Sequence, residues 1–293
     1  INGISIEYDV QGAADGDPVL LIMGLGAQLT RWGPAFIDKL VARGLRTIRF
    51  DNRDAGLSQK FSGIPNLQDV IAAVIKGETP SLPYTLDDMA ADAVGVLDHF
   101  GVQRAHVVGV SMGGMIGQLV AADHPARVLS FTSIMSTTGN PSLPPASPEA
   151  QAVLFTPAPN FKTDEEAFLA HSVRTARALG SPTYPMDEGF LRERALAAVK
   201  RAYEPAGVLR QLAAVTASGD RRAKLAKITA PVLVMHGEAD PLVRVEGGHD
   251  TAAAIAGAEI EIIAGMGHDI PPELYDRFVD GICRNIARAK QLA

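Results

Sequence analysis

One serine-centred pentapeptide is the feature of this chain that most directly suggests chemistry. Gly109-Val110-Ser111-Met112-Gly113 has the form G-x-S-x-G, follows the apolar run Ala105–Val108 and precedes a helical pattern that contains Ile116 and Leu119. A sharp turn from strand to helix would expose the Ser111 hydroxyl, and glycines on both sides would let neighbouring backbone approach closely. The pattern also fits an ordinary Gly-Ser turn, but its place between a strand and a helix favours a nucleophile.

A serine hydroxyl needs a neutral imidazole to accept its proton at neutral pH. Of seven histidines, His268 lies in Gly265-Met266-Gly267-His268-Asp269, directly after the strand pattern Glu259–Ile263. That position is the carboxyl edge of a parallel sheet, where ligands bind in open α/β folds. His236 also ends a strand pattern, but its loop is short and gives little reach. We predict His268 as the base and interpret the other histidines as structural.

The acid that orients the base should lie between nucleophile and base in chain order. Asp240, in His236-Gly237-Glu238-Ala239-Asp240-Pro241, meets this condition and follows a buried strand pattern. Its carboxylate would hold the imidazole in the reactive tautomer. Glu238 is the neighbouring alternative, and Asp269 is too close in sequence to His268. The alternative interpretation of Asp240 is an ordinary turn carboxylate before proline, and we predict it as the orienting acid.

Two backbone amides are candidates for stabilising an oxyanion. The Met112 N–H follows the serine at a helix start, and the Leu25 N–H lies in Met23-Gly24-Leu25-Gly26 after the strand pattern that ends at Met23. The same Gly-Leu-Gly fragment could belong to a dinucleotide-binding G-x-G-x-x-G, but position 29 is Leu rather than Gly.

Composition excludes several other classes of function. The chain has 293 residues, with 27 Lys and Arg against 33 Asp and Glu, and no basic patch typical of a nucleic-acid-binding protein. No apolar run is long enough for a membrane span. The histidines are scattered and Cys283 is the single cysteine, so we expect no metal cage, no cofactor and no intramolecular disulfide. We expect a cytoplasmic monomer or homodimer, and a start at Ile1 leaves room for a removed leader.

The element pattern predicts parallel strands joined by helices. Helical patterns cover 34–43, 86–100, 112–123 and about 272 to the C-terminus, with Thr85 as an N-cap. Seven strand patterns are present: 4–10, 19–23, 45–50, 105–110, 128–134, 231–235 and 259–263.

The alternation of strand and helix patterns stops between about Thr137 and Arg222. Six prolines between Pro141 and Pro159 interrupt the chain, and helical patterns at 165–179, 187–203 and 207–217 replace the strands. We interpret residues 137–222 as an inserted helical cap and residues 1–136 and 223–293 as the core domain.

Taken together, the motifs resemble the α/β-hydrolase superfamily along nearly the whole chain. The resemblance rests on Met23-Gly24-Leu25-Gly26, 51–58, 109–113, Gly237-Glu238-Ala239-Asp240 and Gly267-His268. Many members have His-Gly where this chain has Met23-Gly24, and Gly where it has Asp54. Both of these differences resemble the aclacinomycin methylesterase-like group. The stretch Gly265-Met266-Gly267-His268 fits that group too.

The resemblance implies a mostly parallel eight-stranded sheet flanked by helices, with the cap inserted after the sixth strand. It also implies Ser111, Asp240 and His268 as the catalytic triad, Leu25 and Met112 as oxyanion donors, and the segment 51–58 as a structural loop beside the site. We predict an apolar acyl pocket, and the expected lining residues are Met135, Leu143, Phe155, Phe161 and Phe168. The phenylalanines could equally form the cap's own core.

The predicted activity is hydrolysis of small to medium apolar esters, with methyl esters as candidate substrates, through an acyl-enzyme. Alternatives that share the triad are a proline-type aminopeptidase, a perhydrolase or non-haem haloperoxidase, a C–C hydrolase and a cofactor-free dioxygenase. A member that binds ligand without turnover is a further alternative.

Overall fold

The computed structural model describes residues 1–292, which contain one seven-stranded sheet with the order β1-β3-β2-β4-β5-β6-β7. β1 pairs antiparallel with β3, and every other pairing is parallel. The strands are β1 (Tyr8–Gln11), β2 (Asp17–Ile22), β3 (Leu45–Phe50), β4 (Ala105–Val110), β5 (Val128–Ile134), β6 (Val232–Gly237) and β7 (Glu259–Ile263).

The fold class is confirmed, but the expected strand count was wrong, since residues 1–292 form seven strands rather than eight. Ahead of β2, only Tyr8–Gln11 pairs as a ladder. The carbonyls of Ser5 and Glu7 instead accept isolated bonds from the Gln59 and Asp51 amides, so this stretch follows a loop and adds no second strand. The inserted helices accordingly follow the fifth strand and not the sixth.

Eleven α-helices surround the sheet within the same residues 1–292. They are α1 (Pro34–Val41), α2 (Leu67–Ile75), α3 (Leu86–His99), α4 (Met112–Asp123), α5 (Pro148–Phe155), α6 (Glu165–Leu179), α7 (Glu188–Arg201), α8 (Pro205–Ser218), α9 (Arg222–Leu225), α10 (Val245–Ala253) and α11 (Tyr275–Leu292).

The predicted helices are confirmed to within three residues, and Thr85 caps α3 in a reciprocal capping box with Asp88. Sequence periodicity missed α2, α5, α9 and α10. α10 carries the adjacent glycines Gly247 and Gly248, which weaken its helical pattern, whereas the apolar residues of α2 do follow a helical period that the prediction overlooked (Leu67, Val70, Ile71 and Val74).

Alternate side chains of the central strands build two apolar layers, one on each face of the sheet. Leu20 and Ile22 of β2 pack into the layer that contains the buried side chains of α3 and α4. Val19 and Leu21 pack into the opposite layer with α1 and α11. Because both faces are covered, the strands read as continuous apolar runs, and the reactive groups can only emerge at the strand ends.

The helices α5–α8 lie in sequence between β5 and β6. The boundaries of a separate cap, residues 137–222, stay a prediction. Within residues 1–292, no helix has both the length and the apolar character needed to cross a bilayer.

Candidate active site

Ser111 occupies a strained turn between β4 and α4. Its backbone has φ 54° and ψ −119°, which is unusual for a side chain larger than glycine and typical of a functional site. The Ser111 N–H donates to the Ile134 carbonyl at 2.9 Å, which ties the turn to the end of β5. A Cβ at Gly113 would lie 2.1 Å from the Ile22 carbonyl oxygen, and one at Gly109 would lie 2.2 Å from the Gly113 oxygen. Both glycines are therefore required sterically.

The structure brings the three predicted catalytic side chains into one line. Ser111 Oγ lies 3.0 Å from His268 Nε2, and His268 Nδ1 lies 2.7 Å from Asp240 Oδ2. Nδ1 donates to the carboxylate, so the Nε2 lone pair is left to accept the serine proton. These groups come from the ends of β4, β6 and β7, because parallel strands place their carboxyl ends at one edge of the sheet.

Asp240 is held by its own loop. Its side chain is 0% exposed, and Oδ1 accepts the Leu242 and Val243 amides at 2.9 Å each. With one oxygen occupied by backbone donors, the other is fixed toward His268. Glu238, the alternative acid, is exposed on the surface.

The His268 loop packs against the chain that follows α6. The His268 N–H donates to the Leu179 carbonyl at 2.7 Å, and the Gly267 N–H donates to Ser181 Oγ at 2.9 Å. A Cβ at Gly267 would lie 2.3 Å from the Gly180 carbonyl oxygen, so only glycine permits this contact. The imidazole is 10% exposed at its side chain and remains open to a substrate.

His236, the alternative base, lies behind the acid. Its side chain is fully buried, and Nε2 donates to the Val243 carbonyl at 2.7 Å while lying 3.6 Å from Asp240 Oδ2. Gly248 of α10 packs against the ring, and burial lowers the pKa of His236, which keeps the imidazole neutral. This environment is that of a structural histidine.

The loop after β2 passes directly over the serine. A Cβ on Gly24 would lie 3.1 Å from the Cβ of Ser111. Among residues 1–292, neither the Leu25 nor the Met112 amide has a hydrogen-bond acceptor. Two unpaired N–H groups beside the serine are the arrangement that a developing oxyanion requires.

The predicted pocket residues occupy different environments. Met135 is buried at the end of β5 with φ 42°, and Leu143 lines a cavity of about 90 Å³ with Thr137 and Val243. Phe155 is 64% exposed. Phe161 and Phe168 pack edge to face, with ring centroids 5.5 Å apart, and both contact Tyr203. Those aromatic contacts fit the alternative that the two phenylalanines form a core among the inserted helices, and a role in substrate binding stays a prediction.

Sequence reasoning missed the polar side chains that join α7 and α8 to the loop over the serine. Gln28 and Gln211 are both buried and bridge loop and helix. Their signal in the sequence is weak, because a glutamine in a loop or in a helical pattern is normally exposed to solvent. Within residues 1–292, no group of three or more His, Cys, Asp or Glu side chains could hold a metal ion.

Comparison with known proteins extends the resemblance. A family profile described as the alpha/beta hydrolase fold matches residues 17–273. Rhodomycin D methylesterase of Streptomyces peucetius is 32% identical over 294 residues, covering 93% of this chain and 91% of the relative.

Solved structures agree in fold. A hydrolase from Pseudomonas aeruginosa PA01 aligns with a TM-score of 0.70 and 26% identity, over 97% of this chain and 95% of its own. The enol-lactonase from Burkholderia xenovorans LB400 aligns with a TM-score of 0.73 and 22% identity, over 98% of both chains. The seven-stranded sheet, the profile match and the near full-length relative together establish that this chain belongs to the α/β hydrolase fold family.

Proposed function

We propose that this protein is a carboxylic ester hydrolase in which Ser111 is the nucleophile, His268 the general base and Asp240 the orienting acid. The observation that carries the proposal is the continuous line of contacts, 3.0 Å from Ser111 Oγ to His268 Nε2 and 2.7 Å from His268 Nδ1 to Asp240. The serine in that line sits on a positive-φ turn with two unpaired amides beside it.

Acylation begins when Ser111 Oγ attacks the ester carbonyl carbon and its proton passes to His268 Nε2. The carbonyl oxygen becomes an oxyanion that accepts from the Leu25 and Met112 amides, helped by the N-terminal end of α4. Asp240 stabilises the imidazolium without taking its proton. The tetrahedral adduct then collapses, and His268 Nε2–H protonates the departing alkoxide, which leaves as the alcohol.

Deacylation repeats these roles with water as the nucleophile. His268 Nε2 takes a proton from water, the hydroxide attacks the acyl carbon, and the same two amides hold the second oxyanion. Collapse returns the proton to Ser111 Oγ and releases the carboxylic acid. No step needs a group beyond the residues named and a water molecule.

We further propose small to medium apolar esters, methyl esters included, as substrates. The support is the near full-length similarity to a protein named as a methylesterase. Apolar side chains on the segments around the serine fit an apolar acyl group, namely those of Leu25, Met112 and Met135. In this proposal residues 137–222 form a cap over the core domain of residues 1–136 and 223–293.

The decisive test compares Ser111→Ala with Ser133→Ala on p-nitrophenyl and methyl esters. Ser133 is a matched control, since its buried hydroxyl has no hydrogen-bond partner among residues 1–292. We expect Ser111→Ala to lose at least ~10³-fold in kcat and Ser133→Ala to remain near wild type. A fluorophosphonate probe should label the wild-type protein at Ser111, as located by mass spectrometry.

Retention of wild-type rates by Ser111→Ala, or absence of the adduct, would contradict the proposal. Proline anilides in the same panel separate ester hydrolysis from the aminopeptidase alternative.

A further inference from the structure

The side chain of Gln211 on α8 connects the inserted helices to the loop over the serine. Gln211 is 1% exposed, although it lies in a helix that begins after residue 204 and belongs to the inserted segment. Its Oε1 accepts the Gly26 N–H at 2.7 Å, and its Nε2 donates to the Arg53 carbonyl at 2.7 Å. Both polar ends of the amide are thus satisfied by backbone groups of the core domain.

The amides that surround the contact differ in whether they have an acceptor. The Ala27 N–H donates to the Gly24 carbonyl at 3.1 Å, and the Leu29 N–H donates to Asp51 Oδ1 at 2.7 Å. The Gly26 N–H donates to Gln211, and the Leu25 N–H, one residue earlier, has no acceptor among residues 1–292. Since consecutive peptide planes share an α-carbon, anchoring the Gly26 amide limits the rotation of the peptide that carries the Leu25 N–H.

Neighbours of Gln211 on α8 also hold this helix against the core. Arg210, the neighbour of Gln211, makes a buried bidentate contact with Asp54 at 2.8 and 2.9 Å. Val208 packs against Gly26, where a Cβ would lie 2.9 Å from the valine methyl. Gly26 has φ 65°, so the loop bends at a residue that tolerates this backbone conformation.

The Arg53 end of the bridge is also fixed. The Arg53 guanidinium donates to Asp92 at 2.7 and 2.9 Å, and both side chains are buried. The carbonyl that accepts from Gln211 therefore belongs to a residue whose side chain is held by an ion pair. Gln211 therefore links the Gly26 loop to a residue of the core whose own side chain is held by an ion pair.

We propose that Gln211 is a positioning residue that orients the Leu25 amide toward the oxyanion, so that α8 takes part in building the oxyanion hole. The inference rests on the proposed function, because an oxyanion forms only if Ser111 attacks a carbonyl. Among residues 1–292, Gln211 makes no hydrogen bond to Ser111 or His268, and in this proposal it acts through the Gly26 peptide.

Such a role has a kinetic signature. The oxyanion exists in the transition state and not in the bound ester, so losing the orientation lowers kcat while KM changes little. Deleting an oxyanion donor costs about 10²–10³-fold in kcat, and misorienting one should cost less, about 10–100-fold.

The experiment compares Gln211→Met with Gln118→Met. Methionine preserves the volume of the side chain and removes both hydrogen bonds. Gln118 is a matched control because it is fully buried and also bridges two groups, donating to the Thr137 carbonyl at 3.2 Å and accepting from Arg221 at 3.0 Å. Both variants lose a buried glutamine, but only one touches the loop over the serine.

Two measurements are made on each protein. The first is kcat and KM on p-nitrophenyl esters. The second is the inhibition constant of an alkyl trifluoromethyl ketone, which adds to serine reversibly and places its oxygen where the oxyanion would lie. We expect Gln211→Met to lose about 10–100-fold in kcat and a similar factor in ketone affinity, with KM near wild type, while Gln118→Met keeps wild-type ketone affinity.

A second variant, Gln211→Glu, protects the test against misfolding. Burial favours the protonated carboxyl, which offers an acceptor to Gly26 and a donor to the Arg53 carbonyl. We expect Gln211→Glu to recover part of the ketone affinity that Gln211→Met loses. Unchanged ketone affinity in Gln211→Met, an equal loss in Gln118→Met, or a greater loss in Gln211→Glu than in Gln211→Met overturns the proposal.

Ser111→Ala separates this inference from the proposed function. If it abolishes turnover and ketone binding while Gln211→Met leaves both intact, only the role of Gln211 fails. If Ser111→Ala retains turnover, the proposed function itself fails.

Discussion

The two regions that meet over the serine are built on opposite principles. At the carboxyl edge of the sheet, backbone geometry places the reactive side chains: Ser111 has a positive φ, and Gly113 leaves no room for a Cβ. Where α7 and α8 meet the core, side chains place the backbone instead. Gln28 donates to the Ala198 and Ala202 carbonyls, and Gln211 binds the Gly26 amide.

Asp54 illustrates the second principle. Its φ of 67° is one that glycine adopts more easily, yet the aspartate gains a contact that glycine could not make. Burial raises the pKa of Asp54, but hydrogen bonds from Arg210 and Tyr84 outweigh that effect and leave the pKa lowered. The carboxylate therefore stays charged, and it fastens α8 to the core through Arg210. The contact with Arg210 stabilises the docked helix even though Asp54 has a strained backbone.

The largest effect is expected from the acid at the carboxyl edge of the sheet. Asp240→Asn keeps the shape of the site but offers an amide where Nδ1–H needs an acceptor, so His268 would adopt the wrong tautomer. We expect kcat to fall by about 10⁴-fold with little change in the thermal midpoint. Glu238→Gln is the control, since that side chain is exposed two positions away. Comparable losses in the two variants would remove Asp240 from the mechanism.

A smaller effect is expected from the ion pair that fastens α8. Arg210→Met leaves the Asp54 carboxylate buried without its partner, and both side chains are at most 2% exposed. Breaking a buried pair on one side costs about 3 to 5 kcal/mol of unfolding free energy. Urea unfolding monitored by circular dichroism measures this loss.

Arg222→Met provides the matched control, because Arg222 pairs with Asp220 on the surface and its loss should leave stability near wild type. If the two variants are equally stable, the docking of α8 does not depend on charge.

The third and smallest effect concerns stability at low pH and comes from a buried histidine inside the sheet. Burial lowers the pKa of His106 on β4 to about 4, and Nδ1 lies 2.8 Å from Ser130 Oγ. Between about pH 6.5 and 4, the unfolded chain binds a proton at this position and the folded chain does not. The free energy of unfolding therefore keeps its full value above the unfolded pKa of about 6.5. As the pH falls toward 4, protonation of the unfolded chain lowers this free energy by about 3 kcal/mol in total.

We expect His106→Gln to show a shallower loss of unfolding free energy between about pH 7 and 4 than wild type, by about 2 to 3 kcal/mol. The measurement is urea unfolding at each pH. His99→Gln, at an exposed position, should retain the wild-type slope. If the unfolding free energy of His106→Gln falls with pH as steeply as that of wild type, His106 is not the source of the acid sensitivity.

Prediction from sequence succeeded where a local pattern carried the geometry. The helices α4 and α6 begin and end at the residues that their apolar periods indicate. His268 was preferred to His236 from its place after the last strand, and the structure places its Nε2 3.0 Å from Ser111 Oγ. Prediction failed where partners are distant in sequence: the family resemblance implied an eighth strand that residues 1–292 do not form.

The inserted helices show why the burial of individual side chains could not be predicted from the sequence. Phe155, Phe161 and Phe168 look alike in sequence, yet one is exposed and two pack together against Tyr203. Gln211 looks like a solvated helix residue until α8 docks. Burial of such side chains depends on which helix faces which loop, and a helical period does not encode that choice.

The amino-acid sequence by itself determined the sharp turn at Ser111, the order of the strands along the chain and the identity of the three groups that meet at the sheet edge. Those features follow from short-range rules, namely where only glycine fits and where buried strands must end. Tertiary structure decided which loop amides stay unpaired and which polar side chains become buried anchors. These outcomes require hydrogen bonds between residues as far apart as Gly26 and Gln211, and such bonds exist only after the chain has folded.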